Sequence, residues 1–213
     1  MRIISTNIAK PVIIKWRGKN VTTGIFKKPT KEPIFLGKKD VKGDEVTDRK
    51  YHGGIYKASY LFSAEQYPYW KDLYPNLDWT YGMFGENLTV SGLDETKLYI
   101  GDIYKIGKAL IQISQPREPC YKFGVKFGTQ KVLKQFIQHG HSGTYVSVLE
   151  EGNVEVGNEL ELVERYQNSL TTSNFFELLF TKEKDQQLLK LAILNEALPE
   201  KKREQLKSFL KDN

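Results

Sequence analysis

The sequence predicts a mainly β protein with added α-helices: a small β-barrel over residues 1–165 and a three-helix subdomain over residues 166–213. Two observations support this prediction. The first 165 residues contain many short β-branched runs separated by glycine turns, without the regular strand–helix alternation of a parallel, doubly wound sheet. From residue 166 onward the chain contains no glycine and has a helical pattern throughout. We therefore expect a closed or nearly closed barrel, with a couple of helices capping its openings.

The first half of the chain is predicted to form mostly short strands. They are expected at RIISTNI, PVIIKW, NVTTGIF, PIFLG and KASYLFS. The RGKN segment between the second and third of these is typical of a hairpin turn. Ser63 precedes Gln66 by three residues, which is the spacing of a helix capping box, and Pro68 should keep that helix short or kinked.

The second half returns to strands and then changes to helices. Strands are expected at ENLTVSGL, KLYIGDIYKIG and ALIQIS, and two more, joined by a Glu-Gly-Asn turn, are expected over residues 143–165. TQKVLKQFIQHG predicts a helix that ends at Gly140.

The helical tail has its own start signals. Asn174 with Glu177 is predicted to cap the first helix, Asp185 to begin the second, and Pro199 to occupy the first turn of the third. Three helices this short cannot bury a core alone. We expect them to pack on each other and on the barrel or a second subunit, so a homodimer is left open.

Composition excludes several classes of protein. The chain has 213 residues, 39% of them hydrophobic, which is enough for one sizeable core. A single cysteine excludes an intramolecular disulfide framework and a cysteine-rich zinc site, and it fits a reducing, cytoplasmic compartment. The N-terminal residues lack the pattern of a signal peptide, and no run approaches the roughly 20 apolar residues of a membrane span.

The net charge of +6 is concentrated at the N-terminal end. Residues 1–58 contain 14 Lys/Arg and 5 Asp/Glu, whereas residues 59–164 contain 9 and 14. The basic residues are scattered and lack the clustered stripe of a nucleic-acid groove, so we expect no nucleic-acid partner. They form a solvated surface, or a few of them line a site for an anionic ligand.

The only cysteine follows a proline-rich segment, QISQPREPCYKFG. The prolines restrict the backbone that separates Arg117 from Cys120, and a nearby guanidinium favours a thiolate over a thiol. A thiolate is a nucleophile or a soft metal ligand. An inert, buried cysteine is the alternative.

Two loops contain further candidate residues. GDEVTDRKYHGG places His52 before Gly53 and Gly54, where the backbone can approach a ligand closely, with Asp48 four residues upstream of the histidine. A polar loop with a glycine turn explains the same pattern. FGENLTV contains Glu86 and Asn87, which can shape a loop through side-chain to backbone hydrogen bonds.

The remaining histidines, His139 and His141, are two residues apart and would not share one face of a helix, so they do not indicate a local zinc site. A cysteine hydrolase that uses Cys120 with one of the three histidines is left open by spacing. The sequence contains no Walker loop, no GxGxxG and no HExxH motif.

Five segments follow one another along the chain: TGIFKKP, KGDEVTDRKYHGG, FGENLTVSGL, YIGDIYKIGKALIQISQPREPC and GTYVSVLEEGNVEVGNELELVER. In its order and spacing, this set resembles the MOSC domain family, and within it the YiiM-type branch. The resemblance covers nearly the whole chain, including the helical tail. It implies a β-barrel related to the small barrel domain of pyruvate kinase. It also implies binding of the molybdenum cofactor, molybdopterin, with the family cysteine, here Cys120, bound to molybdenum.

The resemblance also implies which residues form the cofactor site. They are Lys27, Asp48, His52, Gly53, Gly54, Gly85, Glu86, Asn87, Arg117 and Cys120. Lys27, Arg117 and the backbone amides of Gly53 and Gly54 are expected to anchor the cofactor phosphate. One position departs from the family pattern: Ser147 lies where the motif Gly-x-Tyr-x-Arg-Val has arginine, which leaves substrate preference and activity open.

The implied reaction is a two-electron reduction of N-hydroxylated purines or hydroxylamines, with Cys120 and His52 as the catalytic residues. Because the chain has no flavin, haem or iron–sulfur signature, the electrons must come from a separate reductase. The alternative is a non-catalytic carrier of the cofactor or of sulfur on Cys120.

Overall fold

The computed structural model describes residues 1–44 and 53–211. Its strands are β1 (Arg2–Ile8), β2 (Val12–Trp16), β3 (Lys19–Thr23), β4 (Lys28–Thr30), β5 (Ile34–Leu36), β6 (Ser59–Ser63), β7 (Leu88–Ser91), β8 (Ile103–Ile106), β9 (Ala109–Pro116), β10 (Thr144–Glu150), β11 (Gly152–Val154) and β12 (Leu160–Glu164). Its α-helices are α1 (Tyr67–Leu73), α2 (Tyr121–Lys126), α3 (Lys131–His139), α4 (Thr172–Phe180), α5 (Gln186–Leu194) and α6 (Glu200–Lys207).

The main sheet has eight strands in the order β12-β8-β9-β10-β6-β7-β1-β4. Neighbouring strands are antiparallel except β6 and β7, which are parallel. The start of β1 lies against the start of β12, where Leu160 donates its amide hydrogen to the Met1 carbonyl at 2.9 Å. The predicted class, mainly β with added α, is confirmed. Within the described residues the strand order has two ends, β12 and β4, so a fully closed barrel is not established.

One hydrophobic core joins the sheet to the helical tail. Sheet residues such as Leu61 and Ile111 are fully buried in the same cluster as Phe175, Leu189 and Leu198 of the tail. Each fully buried side chain of this size stabilises the fold by about 1.5–3 kcal/mol. The tail therefore packs on the sheet, and a division into units 1–165 and 166–213 remains a prediction.

A second, aromatic cluster lies beneath α1, α2 and α3. Phe62, Trp70, Phe84, Phe123 and Phe136 are all fully buried in it. Phe62 and Phe84 stack with ring centroids 4.0 Å apart. Because Phe123 belongs to α2, this cluster anchors the helix that directly follows Cys120.

Several local predictions are confirmed. The RGKN turn joins β2 to β3, with Arg17 and Gly18 both in the left-handed region at φ 48° and 76°, as a type I′ hairpin turn requires. Helix α3 ends at Gly140, whose φ of 81° suits glycine. Asp185 caps α5 by accepting from the amides of the second and third residues that follow it.

Other local predictions are wrong. Ser63 makes no capping bond to the backbone; its hydroxyl donates to Glu65 Oε2 at 2.8 Å, and a 3₁₀ turn over Ala64–Gln66 leads into α1. In the tail, Thr171 rather than Asn174 caps α4, because its hydroxyl accepts from the Asn174 amide at 3.1 Å.

Three elements differ from the predicted positions. Residues 143–165 form three strands instead of two, because β11 leaves the main sheet to pair with β5. Pro199 is the N-cap of α6 rather than a residue of its first turn. Helix α2 was not predicted. It contains Gly124, a residue that disfavours a helix locally, and a Cβ there would lie 2.3 Å from the Gln130 side chain.

No helix in the described part of the chain is both long enough and apolar enough to cross a membrane.

Candidate functional site

Cys120 lies between the end of β9 and the start of α2, where it is the N-cap residue with an extended backbone at φ −121° and ψ 168°. Its side chain is half-buried and forms no disulfide. Its carbonyl accepts from the amide of the fully buried Phe123 at 2.9 Å. The strand on one side and the anchored helix on the other therefore fix the backbone that positions the thiol.

Arg117 is buried next to this segment, with 5% of its surface exposed. Its guanidinium lies over the rings of Tyr60 and Phe123, at 5.1 and 4.8 Å from their centroids. Burial by itself lowers the pKa of Arg117, but the neighbouring Tyr60, Tyr145 and Cys120 side chains outweigh it and raise that pKa, so the group stays charged. Among the described residues, nothing accepts a hydrogen bond from the buried Nη1. A buried charged donor without a partner is costly, so this atom is suited to an anionic ligand.

Lys27 belongs to a buried network centred on Asp44. Asp44 Oδ2 accepts from Lys27 Nζ and from Asn87 Nδ2, the latter at 2.9 Å, and its Oδ1 accepts from the Ala9 amide at 2.8 Å. Burial lowers the pKa of Lys27, although the adjacent Asp44 carboxylate opposes the shift. Lys27 is therefore partly neutralised by an internal partner, whereas the Arg117 Nη1 is not.

Asp44 was missed in the sequence, which drew attention to Asp48 in the same loop. The signal that could have found it is its position after Gly43, at the start of GDEVTD, together with the need of Lys27 for a buried counter-charge. Asp48 and His52 lie outside the described residues, and their roles stay predictions.

Glu86 is fully buried and saturated with donors from the protein. Its Oε1 accepts from the Gly82 amide and the Thr89 hydroxyl, both at 2.8 Å, and from the Tyr67 hydroxyl. Its Oε2 accepts from the Phe84 amide at 3.0 Å. Burial and then the Glu86 charge raise the pKa of Tyr67 well above its usual range. These contacts indicate that Glu86 holds the 82–89 segment in shape.

The neighbouring residues of the predicted Gly-Glu-Asn motif position the same segment. Gly85 has φ 75°, and a Cβ there would lie 3.1 Å from Ile25 Cγ1 and 3.8 Å from Arg117 Nη1. Its backbone thus runs close to the unpartnered guanidinium nitrogen. Asn87 is buried, with its side-chain amide donating to Asp44 and its carbonyl oxygen accepting from the Tyr60 amide at 3.3 Å.

Gly53 and Gly54 both adopt the left-handed conformation, at φ 82° and 84°. Among the described residues, a Cβ on Gly54 would meet no atom within 4 Å, so the backbone conformation rather than close packing requires glycine there. The Gly54 amide donates to the Lys39 carbonyl at 3.0 Å. That amide is therefore engaged within the protein, which weakens its predicted role as a phosphate anchor.

Lys126 is a site residue that the sequence did not reveal. Its Nζ donates to the carbonyls of Ile25 at 3.0 Å and Gly82 at 2.6 Å, and so ties the segment before Lys27 to the segment before Gly85. Burial lowers the pKa of Lys126 to about 7; Glu86 opposes this shift, while Arg117 and Lys27 add to it. Finding it from sequence would have required the prediction of α2.

A second group of charges surrounds the Cys120 segment on the side of the tail. Glu118 Oε1 accepts from Lys202 Nζ at 2.7 Å, which links α6 to the segment that carries the cysteine. Lys57 Nζ lies 5.4 Å from the centroid of the Tyr145 ring. Burial lowers the pKa of Lys57, with opposing effects from Glu118 and Cys120 and a further lowering from Lys202.

Ser147 lies on the same face of β10 as Tyr145, because side chains alternate along a strand and the buried residues of β10 are on the other face. An arginine at this position would add a cation to the face that contains Tyr145 and Lys57. Ser147, at the position where the resemblance implies an arginine, therefore bears on the charge of this face rather than on the core.

The other two histidines have partners of their own. His139 Nε2 lies 2.9 Å from Gln66 Oε1, and its ring stacks on Tyr69 at 4.0 Å. His141 Nδ1 lies 3.1 Å from Glu95 Oε2. Among the described residues, no group of three His, Cys, Asp or Glu side chains could hold a metal ion. Within the part of the chain that the structure describes, a metal at this site would therefore find Cys120 but no cluster of further ligands.

The residues present fit the cofactor implied by the sequence. A soft ligand is available from Cys120, and a buried cation with an unpartnered donor lies three residues away at Arg117. Such a donor set suits an anionic group whose metal takes one protein thiolate and brings its remaining soft ligands with it.

Comparison with known proteins gives the same family. The model of the MOSC domain matches residues 48–161. The protein YflK of Bacillus subtilis (strain 168), which is uncharacterized, is 39% identical over 169 residues, covering 79% of this chain and 76% of YflK. A protein of Gibberella moniliformis (strain M3125 / FGSC 7600) named "Reductase" is 34% identical over 151 residues, or 70% of this chain, and the match spans only 27% of that protein.

A solved structure matches over the full length of the chain. The crystal structure of YiiM from Geobacillus stearothermophilus superimposes with a TM-score of 0.81 at 34% identity and covers 99% of both chains, including the helical tail. The family match, the relatives and this agreement in fold show that the chain belongs to the MOSC domain family and is a YiiM-type member of it.

Proposed function

We propose that the protein binds the molybdenum cofactor through Cys120 and reduces N-hydroxylated compounds, such as N-hydroxylated purines or hydroxylamines. The observation that carries the proposal is that the only thiol in the chain lies three residues from Arg117, whose buried Nη1 has no acceptor among the described residues. Membership of the MOSC domain family associates the chain with this cofactor.

Three residues would hold the cofactor. Cys120 would supply the thiolate to molybdenum, and Arg117 Nη1 would donate to an anionic oxygen of the cofactor, gaining the acceptor that it lacks within the protein. Lys27 would add positive charge nearby, with Asp44 moderating it. When bound, the cofactor supplies a centre that exchanges two electrons.

The proposed reaction breaks the N–O bond of the substrate. Two electrons and two protons convert the N-hydroxyl group to an N–H group and water. His52, as predicted from the sequence, would orient the substrate or donate a proton to the departing oxygen. As predicted from the lack of a flavin, haem or iron–sulfur signature in the sequence, the electrons are assigned to a separate electron-donating protein.

The comparisons support a redox role in one respect. A relative named a reductase contains a segment similar to this chain as about a quarter of its length. That protein's activity as a whole is not carried over. The alternative function, a carrier that releases cofactor or sulfur from Cys120, is favoured by Ser147, since that position lacks the expected arginine beside the site.

A reduction assay separates the enzyme from the carrier. Protein from a host that makes the molybdenum cofactor is incubated with an N-hydroxylated purine or hydroxylamine and dithionite-reduced methyl viologen, and the amine product is measured by chromatography. We expect repeated turnover with the molybdenum still bound after gel filtration. Loaded protein that reduces no N-hydroxylated compound, and instead releases its cofactor to an acceptor apoprotein, would support the carrier.

A further inference from the structure

The β2–β3 hairpin forms a separate two-stranded sheet outside the main one. Its register runs from Val12 opposite Thr23 to Trp16 opposite Lys19. Within the described residues, neither strand joins another strand. The hairpin is therefore a short ribbon that is not hydrogen-bonded into the main sheet.

The hairpin is fixed beside the site by an aromatic contact. The ring of Trp16 stacks on Tyr121 at a centroid distance of 4.8 Å and an angle of 24°. Tyr121 directly follows Cys120 and begins α2. Through this contact the end of β2 is held next to the residue that carries the thiol.

The two faces of the hairpin differ. Ile14, with 8% of its surface exposed, and the half-buried Trp16 alternate along β2 with Ile13, which is 68% exposed, and with the exposed Lys15. The first pair faces the protein and the second faces solvent. The outer face thus combines an exposed apolar residue with a basic one.

The segment that contains the hairpin is strongly basic. The first 31 residues contain eight Lys or Arg and no Asp or Glu. Lys15 is exposed on the outer face, and Arg17 and Lys19 are exposed at the turn end of the hairpin, where Lys19 lies opposite Trp16. Helix α6 also lies near Cys120, but two of its three lysines are paired: Lys202 with Glu118 and Lys207 with Glu204.

We propose that the outer face and the turn end of the β2–β3 hairpin are the docking surface for an acidic electron-transfer protein, which delivers the two electrons required by the proposed reductase function. Each donor molecule would be oxidised by one electron, so two encounters balance the reduction of one N–O bond, with the two protons taken from solvent through the site. The proposal rests on the proposed function.

Physical requirements favour this surface. An electron donor must approach the group held by Cys120 closely, and the hairpin is held there by Trp16 and Tyr121. Unbalanced positive charge steers an acidic partner and raises its association rate. An exposed apolar residue surrounded by charges suits a small interface of the kind that transient redox complexes form.

The test compares two double charge reversals. Lys15→Glu with Lys19→Glu alters the hairpin, and Lys131→Glu with Lys134→Glu alters two exposed lysines of α3 by the same total charge. The probes are two acidic carriers, a flavodoxin and a [2Fe–2S] ferredoxin, each kept reduced by NADPH and its reductase. We measure kcat/KM for each carrier at low and high ionic strength, and the binding of the oxidised carriers by calorimetry.

We expect the hairpin variant to lose about tenfold or more in kcat/KM and in affinity at low ionic strength, with the difference shrinking as salt is added. The α3 variant should stay close to wild type. Both should keep wild-type activity with dithionite-reduced methyl viologen. If the hairpin variant fails to fold by circular dichroism, Ile13→Ser replaces it, with the same loss expected for the protein donors alone.

Three results would overturn the docking proposal: equal losses in the hairpin and α3 variants, no loss in the hairpin variant, or no use of either carrier by the wild type. Failure of the proposed function has a different signature. The wild type, loaded with cofactor, would then reduce no N-hydroxylated compound even with methyl viologen.

Discussion

Replacing Arg117 with methionine tests whether this residue serves the ligand or the fold. The change removes a buried cation and its contacts with the Tyr60 and Phe123 rings, which contribute about 0.5–2 kcal/mol each. It also removes a buried, unpartnered donor whose desolvation costs about 1–3 kcal/mol. Because these effects largely cancel, we expect the free energy of unfolding of the cofactor-free protein to change by about 1 kcal/mol or less.

Cofactor affinity should respond much more strongly. A hydrogen bond to a charged group contributes about 1.5–3 kcal/mol, which corresponds to a loss of roughly tenfold to more than a hundredfold in affinity. The assay is the molybdenum retained by Arg117→Met after gel filtration, set beside its urea unfolding curve without cofactor. Arg117→Lys is the control, because it keeps the charge and loses the planar fork.

Two outcomes would refute this reasoning. If Arg117→Met retains as much molybdenum as wild type, Nη1 does not contact the cofactor. If the cofactor-free variant is instead destabilised by about 3 kcal/mol or more, Arg117 is a structural residue whose ring contacts exceed the cost of its unpartnered nitrogen.

Three further predictions follow from the site. Glu86→Gln replaces a carboxylate that accepts from the Gly82 and Phe84 amides with a side-chain amide, and should lower the free energy of unfolding in urea by about 2–3 kcal/mol. An unchanged urea midpoint would show that the hydrogen-bond network adapts to the amide. Burial lowers the pKa of Lys126 to about 7, whereas its pKa in the unfolded chain is near 10.5. Between these two pH values the folded state binds fewer protons than the unfolded state. The contribution of Lys126 to stability therefore rises with pH across this window and is smallest below pH 7. Lys126→Met should therefore gain less stability than wild type between pH 7 and 9, and parallel curves of melting temperature against pH would contradict this. His52→Ala should keep its molybdenum and lose about 10²–10⁴ in the rate of N-hydroxyl reduction, whereas joint loss of metal and activity would assign His52 to loop structure instead.

Local patterns in the sequence predicted the fold class and much of the secondary structure. The hairpin turn at Arg17 and Gly18 and the end of α3 at Gly140 each depend on a few adjacent residues, and both are confirmed. Helix α2 depends on tertiary packing: Gly124 disfavours a helix locally, whereas Phe123 of the same helix is fully buried in the aromatic cluster. The path of β11 to β5 is likewise set by a distant partner.

Some residues of the candidate site are neighbours in the sequence, whereas others are brought together only by the fold. Arg117 and Cys120 are close in sequence, so their association could be predicted from one short segment. Lys126 contacts the Ile25 carbonyl across 101 residues of sequence, and no local pattern reports such a contact. Asp44 is likewise defined as a site residue only by the folded chain, which brings it to Lys27 and Asn87.

The central claim is that Cys120 holds molybdenum. The most direct measurement is the molybdenum content, by mass spectrometry, of wild type and Cys120→Ser purified in parallel from a host that makes the cofactor, with circular dichroism to show that both are folded. We expect nearly stoichiometric molybdenum in the wild type and nearly none in the variant. Equal molybdenum in the two proteins, or none in either, would contradict it.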